Sequence, residues 1–162
     1  MARHNMSRRW VAEFLGTALL LALVVGSGIM AERLSGGNVA LALLANTLAT
    51  GAGLIALILT FAPISGAHFN PIVTLAEACL RQFAWRLLLP YWLAQITGAI
   101  VGVWLTHAMF ELPLWQLSQQ ARTGNGQWLA EGVASFGLIA VIISTTRHKP
   151  TTTITSWMTP RK

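Results

Sequence analysis

Four stretches of the chain are apolar almost without interruption: Val11–Met30, Val39–Phe61, Leu87–Met109 and Gln127–Thr146. Each comes close to the roughly 20 residues a helix needs to cross a bilayer core, so four membrane-spanning helices are expected. Polar turn clusters flank them: Ser35-Gly36-Gly37-Asn38 follows the first and Thr123-Gly124-Asn125-Gly126 precedes the fourth. Trp10, Trp85, Trp92, Trp104 and Trp128 fall in or near span ends, where interfacial aromatics gather, although a Trp packed on another helix is equally ordinary.

Between the second and third spans the pattern breaks. Ile64-Ser65-Gly66-Ala67-His68-Phe69-Asn70-Pro71-Ile72-Val73-Thr74 combines a Gly-containing extended approach with an Asn-Pro helix start. Asn is a good N-cap, and Pro suits the first helical position because its missing N–H would be unsatisfied anyway. A helix over Pro71–Leu80, ending before Arg81, is about 15 Å long, or half a bilayer core. Irregular backbone followed by a half-length helix, in so apolar a chain, reads as a re-entrant segment lining a water-filled path.

Composition supports the membrane reading. Of the 162 residues, 54% are hydrophobic and 10% charged, against about 25% charged in a soluble domain, and mean hydropathy is +0.59. Once the spans are assigned, no soluble domain remains. The net charge of +6 raises nucleic acid as a partner, but the basic residues lie between spans rather than in a patch with aromatics. They orient the chain instead. Arg3, Arg8, Arg9, Arg81, Arg86, Arg147, Lys149, Arg161 and Lys162 fall on one side, and Arg33 and Arg122 on the other. The positive-inside rule then puts both termini in the cytoplasm, with a bacterial inner membrane the expected location. The first span is too long for a signal-peptide core and reads as retained. Cys79 stands alone, so no internal disulfide is expected.

Glu13 and Glu131 are the ionisable residues well inside spans, and intramembrane carboxylates are usually functional. They suit proton transfer, an acid–base pair, or acceptance of hydrogen bonds from the unpaired N–H groups of a re-entrant loop. In the last case Glu13→Gln is expected to be mild, because an amide oxygen still accepts. His68 has no His, Cys or Asp nearby at ligand spacing, so no metal or cofactor is expected. No nucleophile, base and orienting acid converge, which disfavours an intramembrane enzyme. The Asn70 amide can donate to passing water while its oxygen caps the helix. The partial positive charge at that N-terminus discourages cations. Gly66, Ala67 and His68 offer carbonyl acceptors along the approach.

With these residues in view, the chain resembles the first two-thirds of an aquaporin-type channel of the major intrinsic protein family. Ser65-Gly66-Ala67-His68-Phe69-Asn70-Pro71-Ile72-Val73-Thr74 matches the family's first Asn-Pro-Ala loop, with Ile72 in place of Ala. Ala12-Glu13-Phe14-Leu15-Gly16-Thr17 matches its first helix, Ala94-Gln95-Ile96-Thr97-Gly98-Ala99 its third, and Glu131 with Phe136-Gly137 its fourth. The resemblance implies an all-α integral membrane protein, a right-handed helical bundle with four spanning helices plus one half-helix. It implies that Glu13, assisted by Gln95, braces the Asn70 loop, and that Glu131 would brace a second loop not found in this chain. It places Thr50 at a selectivity position, where a small side chain widens a pore; an ordinary helix-facing Thr is the alternative. The implied function is passive passage of water or small neutral solutes such as glycerol, within a homotetramer. The alternative is a chain that inserts but forms no complete pore, because residues 1–146 make an incomplete membrane domain. Residues 147–162 read as a polar, Thr-rich tail unrelated to the family, such as a truncated or frame-shifted gene would leave.

Overall fold

The computed structural model describes residues 5–116 and 123–147. Among them the regular elements are all helical. They are α1 (Met6–Leu34), α2 (Val39–Ser65), the short α3 (Pro71–Cys79), one 3-10 turn at Trp85–Leu87, α4 (Leu88–Met109) and α5 (Asn125–Arg147). Among the described residues, α1, α2 and the stretch Trp85–Met109 are long and apolar enough to cross a membrane. The fourth expected span forms the 23-residue α5. Arg147 closes α5 rather than opening the tail, and 148–162 lie outside the described residues.

The half-length helix is present as α3, nine residues with Pro71 at its start. The approach to it is shorter than the sequence suggests. α2 runs through Pro63 to Ser65, leaving five residues, Gly66 to Asn70, as irregular backbone. Pro63 cannot donate to the carbonyl one turn back. The Gly66 N–H nevertheless reaches Ala62 O at 3.1 Å, and Gly66 ends the helix in the left-handed region at φ 100°.

α1 to α4 belong to one compact unit and α5 to a second. In the first unit, α1 and α4 meet along a seam of small residues. A Cβ on Gly98 would stand 2.4 Å from Phe14 O, and one on Gly102 would stand 2.2 Å from Ala18 O. One turn further, Thr106 Oγ1 donates to Ala22 O at 3.2 Å. Steps of four on both helices, in the same direction, mean parallel helices with backbones in near contact. Only residues without a side chain permit this approach. The centre of the unit is unusually polar. Glu13, Thr17, Ser65, Thr74, Gln95 and Thr106 are buried beside Ala12, Phe69, Val73 and Tyr91. Large apolar side chains such as Leu48, Leu59 and Leu93 face outward, as lipid rather than water requires.

Candidate functional site

The five-residue turn between α2 and α3 is held from three sides. Gly66, Ala67 and Phe69 all have positive φ, at 100°, 53° and 50°. For Ala67 and Phe69 this backbone is unfavourable by about 1–3 kcal/mol each, so surrounding contacts must over-determine it. Glu13 of α1 supplies the main ones. Its Oε1 accepts from Ser65 Oγ at 2.6 Å and from the His68 N–H at 3.0 Å. Its Oε2 accepts from the Phe69 N–H at 2.8 Å and from Gln95 Nε2 at 2.9 Å. Four donors fill both oxygens, an arrangement that suits a carboxylate, which accepts at each. An amide at position 13 would turn an NH2 group toward either the His68 or the Phe69 N–H. Glu13→Gln is therefore expected to be costlier than acceptance by a single amide oxygen suggests.

A second set of bonds ties the turn to α3 and α4. Gln95 Nε2 also donates to Thr74 Oγ1 at 2.9 Å, Thr74 Oγ1 donates to Asn70 O at 3.1 Å, and His68 Nδ1 lies 3.1 Å from the same hydroxyl. With the Thr74 proton on Asn70 O, His68 donates from Nδ1 and keeps Nε2 as an acceptor. Tyr91 Oη donates to Ser65 O at 2.8 Å, and Trp92 Nε1 to Pro71 O at 3.0 Å. The hydroxyl of Ser65 also accepts the Ala67 N–H at 3.1 Å. Around His68 the ring of Phe83 packs edge-on at 5.1 Å and that of Tyr91 tilted at 5.4 Å, and Arg9 lies 5.4 Å from the Tyr91 ring centre. The Phe69 ring fills the notch that Gly16 leaves in α1, where a Cβ would stand 2.0 Å from it.

Asn70 accepts the Ile72 N–H on its Oδ1 at 2.8 Å and so caps α3, while its Nδ2 meets no described residue. Nor do the carbonyls of Gly66, Ala67 and His68 accept a hydrogen bond from any described residue. The turn thus presents one amide donor at a helix N-terminus beside a short run of bare carbonyl acceptors. Ile72 is 51% exposed next to it. Thr50 lies apart from the turn and bonds along its own helix, Oγ1 to Asn46 Oδ1 at 3.5 Å. Glu131 is exposed on α5. Reading the sequence did not single out Ser65, Thr74, Tyr91 or Trp92 as parts of this network.

A bundle of apolar helices with a polar centre, entered by a half-helix whose preceding turn is held by a buried carboxylate, defines a polytopic membrane protein with a re-entrant segment. The chain belongs to the major intrinsic protein family, whose profile matches residues 1–159. It is 52% identical over 144 residues to the aquaglyceroporin AqpS of Rhizobium meliloti (strain 1021), covering 89% of this chain and 61% of that one. A probable glycerol uptake facilitator protein of Thermotoga maritima is 36% identical over 113 residues, 66% of this chain and 45% of its own length. An aquaporin of Arabidopsis thaliana is 30% identical over 139 residues, 85% of this chain and 45% of its own length. The chain therefore spans between about half and three-fifths of the length of these relatives.

Proposed function

We propose that this chain forms the pore-loop half of a passive membrane channel for water and small uncharged solutes of the glycerol type, with no cofactor. The observation that carries the reading is the Asn70 turn. Four donors converge on Glu13, so the backbone is held rigidly while Asn70 Nδ2 and the carbonyls of residues 66–68 stay free for a permeating molecule. Polar backbone at membrane depth is tolerated where it lines a water-filled cavity. The names of the aquaglyceroporin and glycerol facilitator relatives agree with such solutes. In this reading both termini face the cytoplasm, Thr50 contributes to the choice of solute, and the working assembly is a homotetramer.

A second reading is insertion without a closed pore. It is favoured by the half-exposed Ile72 beside Asn70, which the described residues leave uncovered. Stopped-flow swelling and glycerol uptake of proteoliposomes separate the two. Permeability above empty liposomes that is lost in Asn70→Leu supports the channel. Correctly inserted protein with the permeability of empty liposomes supports the second reading.

A further inference from the structure

The N-terminal end of α1 and the C-terminal end of α2 enclose a groove of about 470 Å³ that the Asn70 turn does not use. Ser7, Arg8, Val11 and Leu15 line it from α1, and Phe61 and Ile64 from α2. Apart from Ser7 and Arg8, both at one end, every lining residue is apolar. The volume lies in the range of pockets that hold small molecules. Val11 and Leu15 stand open to the outside of the bundle, 54% and 44% exposed.

The groove is confined to one leaflet. From Ser7 to Leu15 it runs about 12 Å along α1, against about 15 Å for half a hydrocarbon core. Two turns further, Leu23 of α1 occupies the space over Gly53 of α2, and the two helices close on each other. At the open end, two adjacent arginines have different surroundings. Arg9 stands over the rings of Phe83 and Tyr91, 5.8 and 5.4 Å from their centres. Arg8, about 100° round the helix, lines the groove, is exposed, and has no side-chain partner among the described residues.

We propose that this groove binds an anionic phospholipid of the adjoining leaflet, with one acyl chain along Val11, Leu15, Phe61 and Ile64 and the phosphate on Arg8. The depth selects a chain over a helix. A helix of another copy needs a face that continues across the core of about 30 Å, and this one ends near the midplane. The wall selects a chain over an irregular peptide, whose N–H and C=O groups would go unmet against it. Arg8 selects the charge. Its aliphatic stem can lie along the groove while the guanidinium reaches headgroup level and pairs with phosphate as a two-pronged donor. Among the described residues no acidic side chain lines the groove to compete. In the orientation proposed above, this end meets the cytoplasmic leaflet, where anionic lipids attract basic residues. Phe61 is the wall shared with the turn, since its ring also meets Phe69 edge-on at 5.9 Å.

Lipid-selective quenching tests the site and needs inserted protein, not conduction. Full-length Leu19→Cys in a Cys79→Ser background carries a bimane fluorophore one turn beyond Leu15 and is reconstituted in phosphatidylcholine vesicles. The vesicles contain rising mole fractions of chain-brominated lipid, either phosphatidylglycerol or phosphatidylcholine. Half-maximal quenching is expected at an about fivefold lower mole fraction of phosphatidylglycerol, the contribution of one basic residue near an anionic surface. With the label at Leu48→Cys, an outward-facing position off the groove, the two lipids are expected to quench alike. Arg8→Gln is expected to abolish the preference at position 19. Arg86→Gln, which removes another exposed cation outside the groove, is expected to keep it. Equal quenching by the two lipids at position 19, an equal preference at position 48, or a preference that survives Arg8→Gln overturns the site. Strong quenching at position 48 with none from either lipid at position 19 shows the groove covered by protein and overturns it too. Loss of the preference in excess inorganic phosphate assigns Arg8 to free phosphate and overturns the lipid.

Discussion

Glu13 Oε2 accepts the Phe69 N–H at 2.8 Å across 56 positions of sequence, and so fixes a bulky residue in a left-handed backbone conformation. The same carboxylate accepts from the neighbouring His68 N–H. The geometry of the Asn70 cap therefore depends on a residue of the first helix.

Replacing Glu13 tests that dependence. Glu13→Leu leaves two backbone N–H groups without acceptors, at about 1–3 kcal/mol each. Glu13→Gln keeps one oxygen but sets an NH2 group against a backbone N–H, so a loss of about half that size is expected. Thermal unfolding in detergent should rank the wild type above Glu13→Gln and Glu13→Gln above Glu13→Leu. A Gln variant as stable as the wild type would show that fewer than four donors matter.

Gly16 and Phe69 form a notch and its filling. Gly16→Ala drives a methyl into the ring and is expected to cost about 1–3 kcal/mol by overpacking. Gly16→Ala with Phe69→Leu should recover part of the loss. An additive double mutant in a thermal-stability cycle would contradict the contact.

The α1–α4 seam makes a sharper contrast. Gly98→Ala and Gly102→Ala each place a Cβ against backbone carbonyls that cannot move aside singly. Gly51→Ala meets nothing within 4 Å. The first two should lower the unfolding temperature by several degrees, corresponding to about 1–3 kcal/mol, and the third should be neutral or slightly stabilising.

Asn70 combines two roles that one pair of substitutions separates. Asn70→Asp keeps the acceptor for the Ile72 N–H and adds a charge favoured at a helix N-terminus, but removes the Nδ2 donor. Asn70→Ala removes both and should cost about 1 kcal/mol of capping. Stability is expected to fall in Asn70→Ala but not in Asn70→Asp. Water permeability, where present, should fall in both.

Topology can be read directly. A reporter active only outside the inner membrane, fused after Lys162, is expected to give no signal if both termini are cytoplasmic. A strong signal would require an odd number of crossings.

How much was legible in the sequence follows from the range of each interaction. The Asn70 cap and the half-helix rest on adjacent residues, so an Asn-Pro pair in an apolar chain was enough to find them. The second span was ended at Phe61, where the apolar run stops, whereas α2 continues through Pro63 to Ser65 and the Gly66 N–H completes its last turn. The partners of Glu13 lie on α2, the turn and α4, and composition and spacing alone left both proton transfer and bracing open, with the family resemblance favouring bracing. Thr74, Tyr91 and Trp92 were missed because a hydroxyl or an indole in an apolar run has no local signature. Two signals were available. Thr74 lies four residues after Asn70, within reach of its carbonyl, and Tyr91 is the chain's one tyrosine.

The four bonds at Glu13 also impose an order on synthesis. Its donors at Ser65, His68, Phe69 and Gln95 are made after α1 has been translated. At about 5–20 residues per second, the Phe69 N–H, 56 residues behind, follows about 3–11 s later. Through that interval the first helix carries a carboxyl group without partners, a burden that reaches about 2.5–3.5 kcal/mol for a charged residue at a helix centre and is smaller at Glu13, two turns into α1. Its early residence in the membrane therefore depends on the insertion machinery or on water at the growing bundle, until the re-entrant turn arrives to relieve it.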